Sequence, residues 1–168
     1  FGEYAPPGLD MPFLETLMQG VGDFTPGVAV SPLRLGNLAL GILICYETIF
    51  PELAQQRVAN GASVLVNISN DAWFGTTAAP EQHLQLSVLR AVEQGRYVLR
   101  GTNTGISAII DPHGRIAERG GLFRAEVISG MVTARTETTV FHRMQNLVWP
   151  VALGLAAITL LWPVRRRP

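Results

Sequence analysis

A single cysteine, Cys45, is the side chain in this sequence that is best suited to nucleophilic chemistry. It follows the apolar run 38–44, is itself followed by Tyr46 and Glu47, and precedes Pro51, which suits a helix start. A turn between a strand and a helix presents a thiolate at the carboxyl edge of a sheet, near backbone N–H groups that stabilise an oxyanion. By spacing alone a buried structural cysteine fits equally well, so both interpretations stay open here.

The other polar residues give weaker signals. Asn70 and Asp71 follow a predicted strand, where such side chains typically shape a loop by bonding backbone groups. His83 lies near a predicted helix start, and a lone histidine there is more often structural. The three histidines have no metal-ligand spacing, and no Gly-x-Gly-x-x-Gly opens a helix after a strand. The sequence therefore predicts no metal and no nucleotide cofactor.

The charge composition argues against a nucleic-acid partner. Thirteen basic residues balance thirteen acidic ones, so no basic face dominates. Every basic residue is an arginine, and the chain contains no lysine. One cysteine also excludes an intramolecular disulfide and a multi-cysteine metal site.

Alternating strands and helices must position Cys45. The apolar runs 38–45 and 63–68 predict buried strands, and the segment 50–60 between them predicts a short helix. A second helix is predicted over 81–94. Four more strands are expected, over 97–101, 107–110, 115–117 and 127–132. This order favours an α/β fold.

The C-terminal segment differs in kind from the rest. Residues 147–164 carry no charge, and Arg165 follows at once with two more arginines behind it. This length is at the low end of what spans a bilayer, and the basic cluster matches the positive-inside rule. A buried helix is the alternative, but such a helix without a polar face is unusual. We therefore expect a transmembrane helix over 147–164, with the tail 165–168 in the cytoplasm and residues 1–140 on the other side.

Several motifs together resemble one known family. The stretch Gly41–Glu47 (GILICYE) resembles the nucleophile motif of the nitrilase, or carbon–nitrogen hydrolase, superfamily. Within it, Cys-Tyr-Glu is similar to the apolipoprotein N-acyltransferase branch, as are 1–4 (FGEY), 69–75 (SNDAWFG) and 102–105 (TNTG). This resemblance implies a nitrilase-type α-β-β-α sandwich, of which residues 1–140 form the C-terminal part. It also implies an enzyme of the bacterial inner membrane whose catalytic domain faces the periplasm.

The resemblance implies a reaction and a set of site residues. The enzyme would transfer an acyl chain from a phospholipid in the membrane to the N-terminal diacylglyceryl-cysteine of an apolipoprotein, through a thioester on Cys45. Glu3 would be a supporting carboxylate, and Tyr46 and Glu47 would position the nucleophile turn. Trp73 would contact the acyl chain, although an indole in that loop also suits a core position. No cofactor is implied.

The chain is expected to be a fragment. It starts at Phe1 without an initiator methionine, and the family's lysine and general-base glutamate are expected upstream of that residue. We therefore predict that the chain alone is inactive. Two alternatives remain: a carbon–nitrogen hydrolase acting on a small amide or nitrile, and a membrane-anchored binding module in which Cys45 is a core residue without catalytic function.

Overall fold

The computed structural model describes residues 31–161 of the chain. Within that range one six-stranded sheet has its strands in chain order. The strands are β1 (Leu33–Leu35), β2 (Leu38–Ile44), β3 (Val64–Ser69), β4 (Val98–Thr102), β5 (Ala108–Ile110) and β6 (Ile116–Arg119). The helices are α1 (Pro51–Ala59), α2 (Ala79–Gln94) and α3 (Val140–Leu161), with 3-10 turns at Cys45–Ile49 and Ala72–Phe74.

The centre of the sheet is parallel. Strand β3 pairs in parallel with β2 and with β4, and α1 and α2 are the two connections between them. The strands on either side are antiparallel: β1 pairs with β2, and β5 pairs with β4 and β6. The predicted nitrilase-type α/β sheet is thereby confirmed.

Close packing against α1 holds β2 in position. A Cβ atom on Gly41 would lie 2.8 Å from the Cβ atoms of Ala62 and Arg57, so only glycine allows the strand to approach this closely. The Arg57 side chain also donates from Nε to the Ile42 carbonyl at 2.8 Å. Pro51 stands at the first turn of α1, where its missing N–H removes no helical bond. Cys45 lies directly between these two elements.

The core lies between the parallel strands and the helices. Its members are buried apolar side chains from β2 to β5 and from α1 and α2, among them Leu43, Ala54, Leu65, Leu84, Val98 and Ile110. Because β2, β3 and β4 are parallel, their carboxyl ends meet at one edge of the sheet. The residues at or just after those ends, Cys45, Ser69 and Thr102, are therefore brought to the same edge.

Two expectations about strands differ from the structure. The predicted strand over 127–132 is wrong, because that segment has no regular secondary structure. Two of its apolar side chains are almost fully exposed, Val127 at 95 % and Met131 at 90 %, while Ile128 and Val132 are half-buried. Strand β1 was not predicted, because its three residues are exposed and form a short edge strand with little apolar periodicity.

The segment predicted to span a membrane, 147–164, coincides up to Leu161 with helix α3. Of the helices within residues 31–161, none is both long enough and apolar enough to cross a membrane. The predicted cytoplasmic tail 165–168 and the supporting carboxylate Glu3 lie outside the described residues.

Candidate functional site

Cys45 occupies a strained backbone position at the carboxyl end of β2. It is the first residue of the 3-10 turn, and its φ angle is +47°, in the left-handed region. For a residue with a Cβ atom, this conformation carries a cost of roughly 1–3 kcal/mol unless the surroundings hold it. The thiol is free and half-buried. The turn thus bends the chain sharply and leaves Sγ accessible at the edge of the sheet.

Buried hydrogen bonds hold this strained turn in place. The amide Nδ2 of Asn67 on β3 donates to the carbonyl of Leu43 at 3.0 Å and to that of Cys45 at 3.1 Å. Asn67 is fully buried, so these bonds are shielded from water. The side chain of Glu47 folds back and accepts a bond from the Ile44 N–H at 2.8 Å. The chain is thereby fixed on both sides of Cys45.

The far end of the turn is tied to α2. Arg90, which is buried, donates from Nη1 to the Ile49 carbonyl at 2.9 Å. The hydroxyls of Thr48 and Ser87 lie 3.3 Å apart and are both fully buried. Helix α2 therefore orients the turn as well as covering the core.

A polar cluster extends from the thiol into the interior. The Ser69 hydroxyl, at the end of β3, lies 3.4 Å from Cys45 Sγ and 2.6 Å from Oδ1 of Asp71. The other carboxylate oxygen, Oδ2, accepts a bond from Nη2 of Arg100 at 2.6 Å. Nδ1 of His83 on α2 lies 3.1 Å from Asp71 Oδ1. We call Ser69, Asp71, His83 and Arg100 the buried cluster.

Arg100 is also linked through Asn67 to Cys45. Its Nη1 donates to Oδ1 of Asn67, whose amide group holds the Cys45 carbonyl. The side chains of Arg100 and Asp71 are both 0 % exposed, so each charge depends on the other for compensation. Loss of one partner would leave an uncompensated charge in the interior.

The cluster keeps the Asp71 carboxylate ionised. Burial acts to raise its pKa, but the hydrogen bonds from His83 and Ser69 and the charge of Arg100 outweigh burial, so the pKa of Asp71 is lowered. Burial lowers the pKa of Arg100, while the charges of Asp71 and of a Cys45 thiolate act in the opposite direction. An ion pair thus stands behind the thiol, and the guanidinium is near enough to attract a thiolate.

Gly105 leaves the space that the carboxylate fills. A Cβ atom there would lie 2.7 Å from Cγ of Asp71, closer than such atoms approach in proteins. Gly105 belongs to the TNTG motif that follows β4 and is buried. The three motifs CYE, SNDAWFG and TNTG therefore meet at one point.

The residues predicted to surround Cys45 differ in exposure and in hydrogen-bond partners. Tyr46 is 54 % exposed, and its ring centroid lies 6.0 Å from that of Phe50. Trp73 is 82 % exposed, and its Nε1 donates to the Asn70 carbonyl at 3.0 Å, so it is not a core residue. The carboxylate of Glu47 is engaged by its own turn.

Sequence reasoning underestimated the buried cluster. Asp71 was expected only to shape a loop, and His83 was interpreted as structural. Ser69 and Arg100 were not singled out as site residues. One signal was available, because Asn67 and Arg100 interrupt otherwise apolar strands, and a buried polar side chain requires partners.

Comparisons with known proteins place this geometry in a family. A profile of the carbon–nitrogen hydrolase family matches residues 6–140. Of the solved structures, Nit3 of Saccharomyces cerevisiae, a member of branch 10 of the nitrilase superfamily, is 27 % identical with a TM-score of 0.52, over 60 % of this chain and 40 % of that one. A carbon–nitrogen hydrolase from Helicobacter pylori shares the fold, with a TM-score of 0.51 at 17 % identity over 58 % and 41 % of the two chains.

Curated relatives of higher identity carry one name. An apolipoprotein N-acyltransferase of Geobacter metallireducens is 41 % identical over 96 % of this chain and 31 % of its own length. Relatives of the same name from Azotobacter vinelandii and Chromobacterium violaceum are 40 % and 42 % identical over 99 % and 96 % of this chain. The chain spans about a third of the length of these relatives. With the family profile covering most of its residues and a thiol at the carboxyl edge of the shared sheet, the chain belongs to the carbon–nitrogen hydrolase family.

Proposed function

We propose that the complete gene product carrying this chain is an apolipoprotein N-acyltransferase with Cys45 as its nucleophile. The observation that carries the proposal is the strained position of Cys45, φ +47°, at the carboxyl edge of a carbon–nitrogen hydrolase sheet. Relatives bearing that name are 38–42 % identical over nearly the whole chain. Because these relatives are named for acyl transfer, we favour acyl transfer over hydrolysis as the reaction of the Cys45 thiol.

The proposed reaction proceeds in two steps. The Cys45 thiolate attacks the ester carbonyl of a phospholipid, the carbon–oxygen bond breaks, and the lysophospholipid leaves after its oxygen takes up the proton that the thiol lost. The α-amino group of a diacylglyceryl-cysteine then attacks the thioester; the carbon–sulfur bond breaks, and the amine's proton returns to sulfur. One difficult transfer is thereby divided into two easier ones.

Exposed apolar side chains beside the thiol support a lipid substrate. Tyr46, Phe50 and Trp73, in the segments that follow β2 and β3, are all exposed. An acyl chain near Sγ would cover this surface and gain free energy from leaving water. We propose that Trp73 contacts the acyl chain, that Tyr46 and Glu47 position the turn, and that Glu3 is a supporting carboxylate.

The same proposal includes the membrane and the second half of the sandwich. Helix α3 exposes apolar side chains, including Leu147, Val151 and Leu153, and the uncharged segment 147–164 precedes three arginines. We propose attachment to the inner membrane through this segment, with residues 1–140 belonging to a periplasmic domain. The apolar face around Ile42 and Val66 is only half-buried, which suits a second sheet packed against it.

The test replaces Cys45 in the complete gene product and follows lipoprotein acylation. We expect Cys45→Ala and Cys45→Ser to abolish N-acylation, read from the mass of N-terminal lipopeptides in cells that depend on the variant. The wild-type enzyme, mixed with phospholipid alone, should accumulate an acyl adduct on Cys45 that hydroxylamine releases. Retained acylation in the Cys45→Ala variant would favour the binding-module alternative instead.

Hydrolysis of a small amide is the second candidate, because the fold is shared with carbon–nitrogen hydrolases. Two measurements separate it from acyl transfer. A hydrolase of this kind would release ammonia from short amides and would be set free from membranes by alkaline carbonate. We expect neither result for the complete gene product.

A further inference from the structure

The Ser69 hydroxyl stands between two groups that both accept hydrogen bonds. Its Oγ lies 2.6 Å from Oδ1 of Asp71 and 3.4 Å from Cys45 Sγ. A hydroxyl has one hydrogen, so it can donate to only one of them at a time. Ser69 is buried, so its own hydrogen bonds are largely shielded from water.

The protonation state of the thiol decides which bond forms. When Cys45 is a thiol, its S–H can donate to Ser69 Oγ while the hydroxyl donates to the carboxylate. When Cys45 is a thiolate, sulfur only accepts, and the hydroxyl hydrogen is required on its side. The short distance to Asp71 favours the first arrangement, and the negative sulfur favours the second.

Asp71 can release the Ser69 bond without becoming unsatisfied. Its Oδ2 keeps the bond from Arg100 at 2.6 Å, and Nδ1 of His83, which lies 3.1 Å from both Asp71 Oδ1 and Arg100 Nη2, donates to Oδ1 in the tautomer that carries its hydrogen on Nδ1. The carboxylate fits closely against Gly105, in the space that a Cβ atom there would need. The carboxylate is therefore a fixed second acceptor.

We propose that Ser69 is a positioning residue that reverses its hydrogen bond with the charge on Cys45, accepting from the thiol and donating to the thiolate, with Asp71 as the alternative acceptor. This inference deepens the proposed function and rests on Cys45 being the nucleophile. Once sulfur is acylated and neutral, the hydroxyl returns to Asp71. Ser69 therefore stabilises the Cys45 thiolate but does not hydrogen-bond the acylated sulfur.

Two variants should act in opposite directions on thiol ionisation. Ser69→Ala removes a donor from the thiolate, so the pH midpoint of Cys45 alkylation should rise by about one pH unit. Asp71→Asn removes a competing negative charge and leaves Arg100 free to attract the thiolate, so the midpoint should fall by about the same amount. Loss of structure alone would not move the midpoint in two directions.

The experiment measures iodoacetamide alkylation of Cys45 against pH in the complete gene product, by mass spectrometry of the peptide that contains it. Ser69→Thr keeps a hydroxyl and should restore the wild-type midpoint, whereas the exposed matched control Ser129→Ala should leave it unchanged. An unchanged midpoint in Ser69→Ala, or a shift that threonine does not reverse, would overturn the inference. If Asp71→Asn fails to fold, the comparison of Ser69→Ala with Ser69→Thr still tests the inference.

Alkylation needs no substrate, which separates this inference from the proposed function. If acyl transfer were absent but the Ser69 midpoints moved as expected, the proposed reaction would fail and the role of Ser69 would stand. If acylation required Cys45 but Ser69→Ala alkylated like the wild type, the opposite conclusion would follow.

Discussion

At the scale of single residues, the site depends on polar side chains that satisfy one another inside the core. Asn67 uses both of its amide hydrogens on the carbonyls of Leu43 and Cys45, and its oxygen accepts from Arg100. Arg100 in turn compensates the charge of Asp71. Such networks stabilise one conformation when complete and are costly when one member is missing.

Gly105→Ala should damage this network without replacing a charged residue. The new Cβ atom would push against the Asp71 carboxylate and weaken its ion pair with Arg100, so we expect a loss of about 2 kcal/mol of unfolding free energy. Thermal or urea unfolding measures the change. Gly101→Ala is the matched control, because a Cβ atom on Gly101 meets nothing within 4 Å. Equal stability of the two variants would contradict the close approach.

The sequence predicted the position of Cys45 but not its surroundings, and the reason is physical. Apolar runs report which strands are buried, so β2, β3 and β4 were predicted from them. The partners of the thiol come from separate elements, and Arg100 is far from Asp71 along the chain. The pattern of apolar residues along one segment cannot show that two polar residues from distant segments are in contact. Only the parallel order of the strands brings the two residues together.

At the scale of elements, α3 is attached to the domain through polar contacts at its first turn. Nδ1 of His142 lies 2.7 Å from Oε1 of Gln94 on α2, and Gln55 of α1 donates to the His142 carbonyl at 2.6 Å. Burial, together with the charges of Arg96 and Arg143, lowers the pKa of His142. The packed state therefore favours the neutral imidazole.

This attachment should weaken in mild acid. Because the pKa of His142 is lower in the folded state, the unfolded state binds more protons as pH falls through 6.5, the ordinary histidine value, and stability falls with it. We expect the Tm of the complete gene product to drop between pH 7.5 and 5.5, and His142→Gln to reduce that drop. His113→Gln, in an exposed turn, should behave like the wild type. An equal drop in both variants would exclude His142 as the cause.

At the scale of the whole molecule, the chain spans about a third of the length of its curated relatives, and it contains no lysine. The strand predicted over 127–132 failed because Val127 and Met131, two of the apolar side chains behind that prediction, are exposed rather than packed in the core. Periodicity alone cannot reveal which surface an apolar residue packs against.

We therefore expect the chain expressed alone to contain the Cys45 thiol but not to acylate it. We expect no stable acyl adduct on Cys45 when the chain is incubated with phospholipid and its intact mass is measured. The complete gene product under the same conditions is the control and should gain the mass of one acyl group. An adduct on the isolated chain would show that residues 1–168 already contain everything that the first step requires.

The strand order of the sheet has a consequence for biosynthesis. Strands lie side by side in the order in which the ribosome makes them, so each can join its predecessor as it emerges. Cys45 and Asn67 are made before Arg100 and Gly105, which enclose the Asp71 carboxylate. A nascent chain arrested before β4 therefore presents the Cys45 thiol without the Asp71–Arg100 ion pair beside it.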